Sequence, residues 1–395
     1  MISVDEALTR VFALVTPLGA ESVTLDHAHG RVLREVARAR RDQPPFDAAA
    51  MDGYAVQGAD DRFRVVGTAV AGRAFDGALA AGEAVRIFTG APVPPGADRV
   101  VIQENARVEG DTISVDDVAA PGAHIRRRGG DFAAGDAVAA PRKLGPVDLA
   151  LLAAMNVGHV QVSRRPDVAL VATGDELVMP GEAPGPDQII ASSVFALAAM
   201  VRAEGGVPRI LPIARDNADS LRTVLELAAD ADMIVTTGGA SVGDHDLVGP
   251  MMDTLGAERA FYKVAMRPGK PLIAGRLGGA LMLGLPGNPV SSIVCGHLFM
   301  VPALRAMLGL GAWPRASAGA RLACDLPPNG PRAHYMRARL QPGEGDGLPG
   351  ILPFDNQDSA LVTVLTEADA LLIRAPHAPV AERGAPVRFI PLHHG

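Results

Sequence analysis

A chain of 395 residues is longer than one hydrophobic core usually supports, so roughly two to four domains are expected. Hydrophobic residues make up 48% and aromatic residues only 4%, so aliphatic packing carries the stability, while a formal net charge of −7 excludes a general nucleic-acid binder. Cys295 and Cys324 form no C-x-x-C pair, the start "MISVDEALTR" lacks a signal-peptide pattern, and no uninterrupted apolar run approaches the ~18 residues of a membrane span, so a soluble, cytoplasmic protein with no nucleic-acid or membrane partner is expected.

The first element is a helix. Ser3 precedes it with Glu6 three positions on, a capping-box pattern, and Val4, Ala7, Leu8, Val11 and Phe12 repeat at helical spacing. "LDHAHGRVLREVARAR" reads as a short strand and a helix-like segment. From "DQPPFDAAAMDGYAV" to about residue 140, short β-prone runs alternate with glycine and proline, which predicts a small all-β module. "GPVDLALLAAMNVG" returns to helix and "HVQVSRR" to strand. Between about 166 and 312, strands such as "DVALVA" and "DMIVTT" alternate with helices such as "SSVFALAAMVRA", the pattern of a parallel, doubly wound sheet. After about 313, proline, glycine and short strands predict a C-terminal β domain.

In a parallel sheet the loops after "VALVAT" and "MIVTT" leave strand carboxyl ends on one edge, where such sheets bind ligands. One loop carries Thr173, Gly174, Asp175 and Glu176, and the other Gly238, Gly239, Ser241, Asp244 and Asp246. Glycines there let backbone N–H groups approach an anion, and clustered carboxylates beside phosphate call for an oxygen-preferring cation such as Mg2+. Gly-Gly also makes an ordinary turn, and Asp216 in "RDNADS" reads first as part of a helix cap. "GASVG" fits the G-x-S-x-G nucleophile elbow, with His297 and His334 downstream, but "GDHD" follows where a helix should begin. "FYKVAMRPGKP" puts Lys263, Arg267 and Lys270 around a Pro-Gly turn, placed to meet an oxyanion, although a solvated strand end is the commoner role for such residues. In "GLPGNPVSS" a turn of Pro286, Gly287, Asn288 and Pro289 leads into a helix and offers either a second anion-friendly turn or a helix start.

Taken in order, "PPFDAAAMDGYAV", "RIFTGAPVPPGADRVVIQE", "RRRGGDFAAGD", "VALVATGDELVMPG", "IVTTGGASVGDHD", "RPGKP" and "GLPGNPVSS" resemble the molybdopterin molybdenumtransferase family, the bacterial MoeA proteins and the E domain of gephyrin. The resemblance runs nearly end to end. It implies a multidomain α/β protein of elongated L-shape: a helical and strand linker domain from residues 1–36 and 137–165, an inserted β domain at 37–136, a MogA-like doubly wound α/β domain at 166–313, and a C-terminal β domain at 314–395. It also implies a reaction, insertion of molybdate into adenylylated molybdopterin with Mg2+, giving molybdenum cofactor and AMP. A non-catalytic carrier or scaffold for the pterin and a serine hydrolase are the rival readings.

By the same resemblance, Asp52, Thr89, Glu176, Asp216, Asp246 and Lys263 are catalytic, with Glu176 and Asp246 handling Mg2+. Thr173, Gly174, Gly238, Gly239, Ser241, Pro286, Gly287, Asn288 and Pro289 contact the pterin substrate. Arg267, Lys270, Arg337 and Ser359 hold molybdate. Asp52 and Thr89 reach the site across a homodimer interface, and a molybdopterin adenylyltransferase and molybdoenzyme or chaperone partners are implied upstream and downstream. The chain departs from the family pattern at Arg267, where lysine is usual, at Gly130, where an acid is, and at Ser193, where asparagine is.

Overall fold

The computed structural model describes residues 1–116, 120–239, 248–343 and 347–392. Contacts divide the chain into two units, one of 1–21, 30–32 and 163–395, the other of 22–29 and 33–162.

In the first unit the helices are α1 (Val4–Leu14), α2 (Ser193–Ala203), α3 (Ala218–Glu226), α4 (Val248–Thr254), α5 (Pro289–Met307) and α6 (Val362–Thr366). Its strands are β1 (Asp167–Ala172), β2 (Val207–Ile210), β3 (Met233–Thr237), β4 (Glu258–Tyr262), β5 (Met266–Arg267), β6 (Ile273–Leu277), β7 (Ala280–Leu285), β8 (Ala318–Leu322), β9 (Ala333–Gln341), β10 (Gly350–Pro353), β11 (Ala370–Arg374) and β12 (Pro386–Pro391). At the N-terminus of α1 only half of the capping box forms. Ser3 Oγ accepts from the Glu6 N–H at 3.1 Å, while the Glu6 carboxylate turns to Arg10 instead.

The central sheet runs β2-β1-β3-β7-β6-β4. The four strands β2, β1, β3 and β7 are parallel as the alternation of elements predicts, but β6 runs against them, because the short link Gly278–Gly279 allows only a hairpin between β6 and β7; β4, antiparallel to β6, again runs with the four. β1 shows why its sequence is almost wholly apolar. Val168, Leu170 and Ala172 enter one core with α2 and α5, whereas Ala169 and Val171 enter a second with α3 and α4. α5 is long and apolar enough by length and mean composition to cross a membrane, but Ser291, Ser292, His297 and Arg305 interrupt it, in keeping with the expected lack of an uninterrupted apolar run, and most of it is buried as the core helix of this unit. The C-terminal strands order as β5-β9-β10-β8-β12-β11, and a further β9–β11 pairing closes β8 to β12 into a barrel, with β5 paired to β9 alone.

The second unit holds a six-stranded sheet ordered Arg99–Ile102, Gly53–Val56, Glu83–Ile87, Arg62–Ala69, Thr112–Val115, Ala106–Glu109. A separate core packs Leu152 of helix Pro146–Ala154 with Leu33, Val160 and Val162. The helix-like segment expected around residues 31–40 is absent. Leu33 pairs with Val162, and Ala37 and Arg38 pair with Val138 and Ala137, so strand partners distant in sequence override a local run of helix formers.

Candidate functional site

The chain leaves β1 to form β2 on one side, then returns to form β3 on the other. The crevice beyond the carboxyl ends of β1 and β3 is therefore the topological switch point, where ligands bind in such sheets. A cleft of about 840 Å³ lies there, walled by the loops after β1, β3 and β7, by the turn after β5, and by Arg332 and 357–359 from the C-terminal domain.

The glycines act differently from the expectation drawn from sequence. The N–H of Gly174 donates to Ala214 O at 3.0 Å and that of Gly238 to Leu285 O at 3.1 Å, so neither amide cradles an anion. What the glycines supply is space. Gly238 sits at φ +95°, and a Cβ there would stand 2.6 Å from Thr173 O. The Gly174 Cβ position, at φ +147°, is filled by the Glu176 carboxylate, 2.3 Å away. The sheet and the acidic loop thus claim the room that side chains would take.

Glu176 and Asp216 both face the cleft. Asp216 is not the helix cap: Asn217 caps α3, its Oδ1 accepting from the Ser220 N–H at 2.8 Å. The Asp216 N–H donates to Asp175 Oδ1 at 3.0 Å, and the Asp175 N–H returns to Asp216 Oδ2 at 3.4 Å. Arg215 fastens the acidic loop from behind, donating to the carbonyls of Gly174, Asp175 and Leu177 at 3.3, 3.1 and 3.0 Å. Sequence reasoning missed Arg215, whose only signal is its place beside Asp216.

The same cleft is also lined by Arg267, Lys270 and Arg332. Arg267 lies in β5, which pairs with β9 so that Arg267 sits opposite His334. Burial, and then Arg267, Arg337 and Arg332, push the His334 imidazole down to about 4, so it is neutral among these cations. Arg337 is 1% exposed and is not a wall of the cleft. Its Nε donates to Gln357 Oε1 at 3.1 Å and its Nη1 to Asp358 O at 2.9 Å, holding the loop that does form the wall. That loop ends at Ser359, whose hydroxyl accepts from Asn288 Nδ2 at 2.8 Å and whose carbonyl accepts from the Val290 N–H at 3.2 Å. The turn Pro286–Gly287–Asn288–Pro289 and Ser359 therefore form one surface across two domains of this unit.

Of the residues singled out from sequence, the cleft brings together Thr173, Gly174, Glu176, Asp216, Gly238, Gly239, Arg267, Lys270, Ser359 and the 286–289 turn. Ser193, at the first turn of α2, also lines it. Lys263 does not; it sits at φ +78° with its ammonium 4.9 Å from the Tyr262 ring centroid. Ser241, Asp244, His245 and Asp246 lie outside the described residues. Asp52 and Thr89 belong to the other unit, where the Thr89 N–H and hydroxyl each donate to Asp52 Oδ1 at 2.8 Å. Those two bonds hold the exposed Asp52 carboxyl below the usual carboxylate range. Gln357 and Arg332 were missed, because neither stands in a turn or loop motif that marks a ligand.

Among the described residues there is no cluster of three or more His, Cys, Asp or Glu that could enclose a metal. Of the three described carboxylates that line the cleft, Asp358 turns an oxygen to the Ala360 N–H, and Glu176 with Asp216 is still a donor set suited to Mg2+. That ion keeps several waters and takes only one or two carboxylates together with substrate phosphates.

Comparisons with known proteins agree with this architecture. Residues 2–156 match the family described as MoeA N-terminal region (domain I and II), 169–306 the probable molybdopterin binding domain, and 319–392 the MoeA C-terminal region (domain IV). The chain is 36% identical over 364 residues to the molybdopterin molybdenumtransferase of Nostoc sp., covering 87% of this chain and 84% of that protein. It is 33% identical over 388 residues to the Bacillus subtilis molybdopterin molybdenumtransferase, covering 94% and 90%. A solved structure of a molybdopterin biosynthesis MoeA protein from Pyrococcus superposes with a TM-score of 0.85 at 30% identity, covering all of both chains. Three family models that together run over most of the chain, and relatives more than 30% identical over most of both lengths, make the assignment: the chain belongs to the molybdopterin molybdenumtransferase family, a family of transferase enzymes.

Proposed function

We propose that this chain inserts molybdate into adenylylated molybdopterin in a Mg2+-dependent reaction that yields molybdenum cofactor and AMP. The observation that carries the reading is one cleft lined by both cations, Arg267, Lys270 and Arg332, and carboxylates, Glu176 and Asp216 among them. Arg267, Lys270 and Arg332 suit the tetrahedral dianion molybdate. Glu176 and Asp216 would repel a phosphate anhydride, so they suit a phosphate that arrives with a divalent cation. Glu176 and Asp216, joined by Asp246, would hold Mg2+, which when bound neutralises phosphate charge and polarises the anhydride for cleavage. Arg215 keeps the acidic loop in place, and the Ser359–Asn288 bond keeps both domains against the pterin side of the cleft.

The active form on this reading is a cytoplasmic homodimer in which Asp52 and Thr89 complete the site of the second subunit. The two hydrogen bonds that orient the exposed Asp52 carboxylate support a task outside its own domain. A molybdopterin adenylyltransferase would supply the substrate, and a molybdoenzyme or its chaperone would receive the product.

The test is AMP release from adenylylated molybdopterin with Mg2+ and micromolar molybdate, for wild type and Glu176→Gln. Molybdate-dependent release, lost or shifted to much higher Mg2+ in Glu176→Gln, is the expected result. Tight substrate binding without release by wild type would overturn the enzyme reading in favour of a carrier.

A further inference from the structure

A second cleft, of about 430 Å³, opens in the same unit where α2, α5 and α6 meet, and it shares no lining residue with the first. Its shape follows from sequence. Ala196, Ala199 and Ala203 lie on one face of α2, and their methyl groups leave the space that longer side chains would fill. Ile293, Val301, Leu365 and Leu392 supply apolar wall. The volume is within the range of small-molecule sites, as is the composition of apolar wall with a few polar groups.

Two further observations separate this cleft from an incidental hollow. α5 carries a π-helical turn over Gly296–Met300, a feature that recurs at functional sites, and His297 in that turn lines the cleft. The second is an imbalance of charge. Glu204, 4% exposed, is held at both oxygens by Arg305, at 2.9 and 2.8 Å. Arg315, 9% exposed, lies by the same pair; its Nη2 reaches Pro391 O at 3.3 Å, and its Nε is buried without a hydrogen-bond partner. Arg305 thus takes both oxygens of the carboxylate, and among the described residues Arg315 forms no ion pair. A buried charge left without a counter-ion costs several kcal/mol, and a second carboxylate would supply both the missing charge and the missing acceptor. With a net excess of one positive charge, and Glu204 near, a monoanion fits and a phosphate dianion does not.

We propose that this cleft binds a small monocarboxylate with an apolar body, its carboxylate on Arg315 and its hydrocarbon along the alanine face of α2. The site is independent of the molybdate chemistry assigned to the first cleft.

Calorimetric titration of the full chain with octanoate, and with its neutral isostere octanamide, tests this directly. Octanoate should bind at least about tenfold more tightly, as expected for one desolvated charge-assisted pair. Arg315→Gln should reduce the preference to within about twofold, on the same ground. Should Arg315→Gln fail to fold, Ala199→Phe on the exposed rim fills the groove without touching the buried charges, and it should block both ligands while leaving the melting temperature intact. Saturating molybdate should leave octanoate binding unchanged. The proposal is overturned if octanoate does not bind, if the two ligands bind equally, if Ala199→Phe binds like wild type, or if molybdate competes. None of those outcomes depends on whether the chain releases AMP.

Discussion

Arg337 Nη1 donates to the main-chain oxygen of Asp358 at 2.9 Å, so a side chain that the family resemblance offers as a molybdate ligand holds up the loop that walls the cleft. Replacing its side chain removes two donor contacts, to Gln357 Oε1 and to Asp358 O, while the Arg337 N–H keeps its bond to Gln357 Oε1 at 3.0 Å. Arg337→Met should therefore destabilise the chain by roughly 2–4 kcal/mol, read from the denaturant midpoint. Arg337→Lys should not rescue it, since one ammonium cannot reach both acceptors. Unchanged stability with lost molybdate affinity would mean that Arg337 is a direct ligand after all.

His334 gives the fold a pH dependence of definite sign. Its folded value of about 4 lies below the ordinary 6.5, so on acidification the unfolded chain takes up the proton first. Stability is unaffected by this group above 6.5, and it falls as pH drops from 6.5 to about 4, by on the order of 3 kcal/mol in total. Unfolding curves across that window should show the slope, and His334→Gln should flatten it. Molybdate bound between Arg267 and Arg332 would screen the cations that depress the imidazole, so an NMR titration of His334 should move upward when molybdate is added.

Gly238→Ala meets two obstacles together, a φ of +95° and a Cβ placed 2.6 Å from Thr173 O. The backbone strain alone is worth roughly 1–3 kcal/mol, and the clash pushes the β1 loop away from β3. A lower melting temperature together with a raised KM for the pterin substrate is expected. A variant that melts like wild type would show that the loop yields freely at this point.

Arg267 is exposed and lines the cleft from β5. Arg267→Lys keeps the charge and should raise the molybdate KM only a few-fold, whereas Arg267→Ala should raise it by about tenfold or more, as loss of a charge-assisted contact does. Both effects should shrink at high ionic strength. Equal loss in the two variants would show that the planar guanidinium is required, not merely its charge.

The strand-end placement of the cleft was readable from the order of elements alone. Apolar runs ending in Thr173–Gly174 and Thr237–Gly238 needed only a parallel sheet to bring them together. What could not be read was which way the glycine amides are used, because that depends on the carbonyls of Ala214, beyond the end of β2, and Leu285, at the end of β7, both distant in sequence. Arg215 was invisible for a similar reason: its three acceptors are backbone atoms, and backbone acceptors leave no mark in sequence. The short strands at 32–38 were misread because their partners, Val162 and Ala137–Val138, lie about a hundred residues away. Lys263 was placed with Arg267 and Lys270 by spacing, and its positive φ beside Tyr262 puts it elsewhere.

β5 belongs by sequence to the α/β domain but is hydrogen-bonded to the barrel, so Arg267 moves with β9. Lys270, three residues on, has its carbonyl accepting from the Val264 N–H at 3.0 Å, two residues before β5 begins. The cationic wall is thus one short turn, pinned at Arg267 to a barrel strand and at Lys270 to the segment that leads into β5. The C-terminal domain therefore shapes the oxyanion wall twice, once by lending Arg332 to the cleft and once by fixing the strand that carries Arg267.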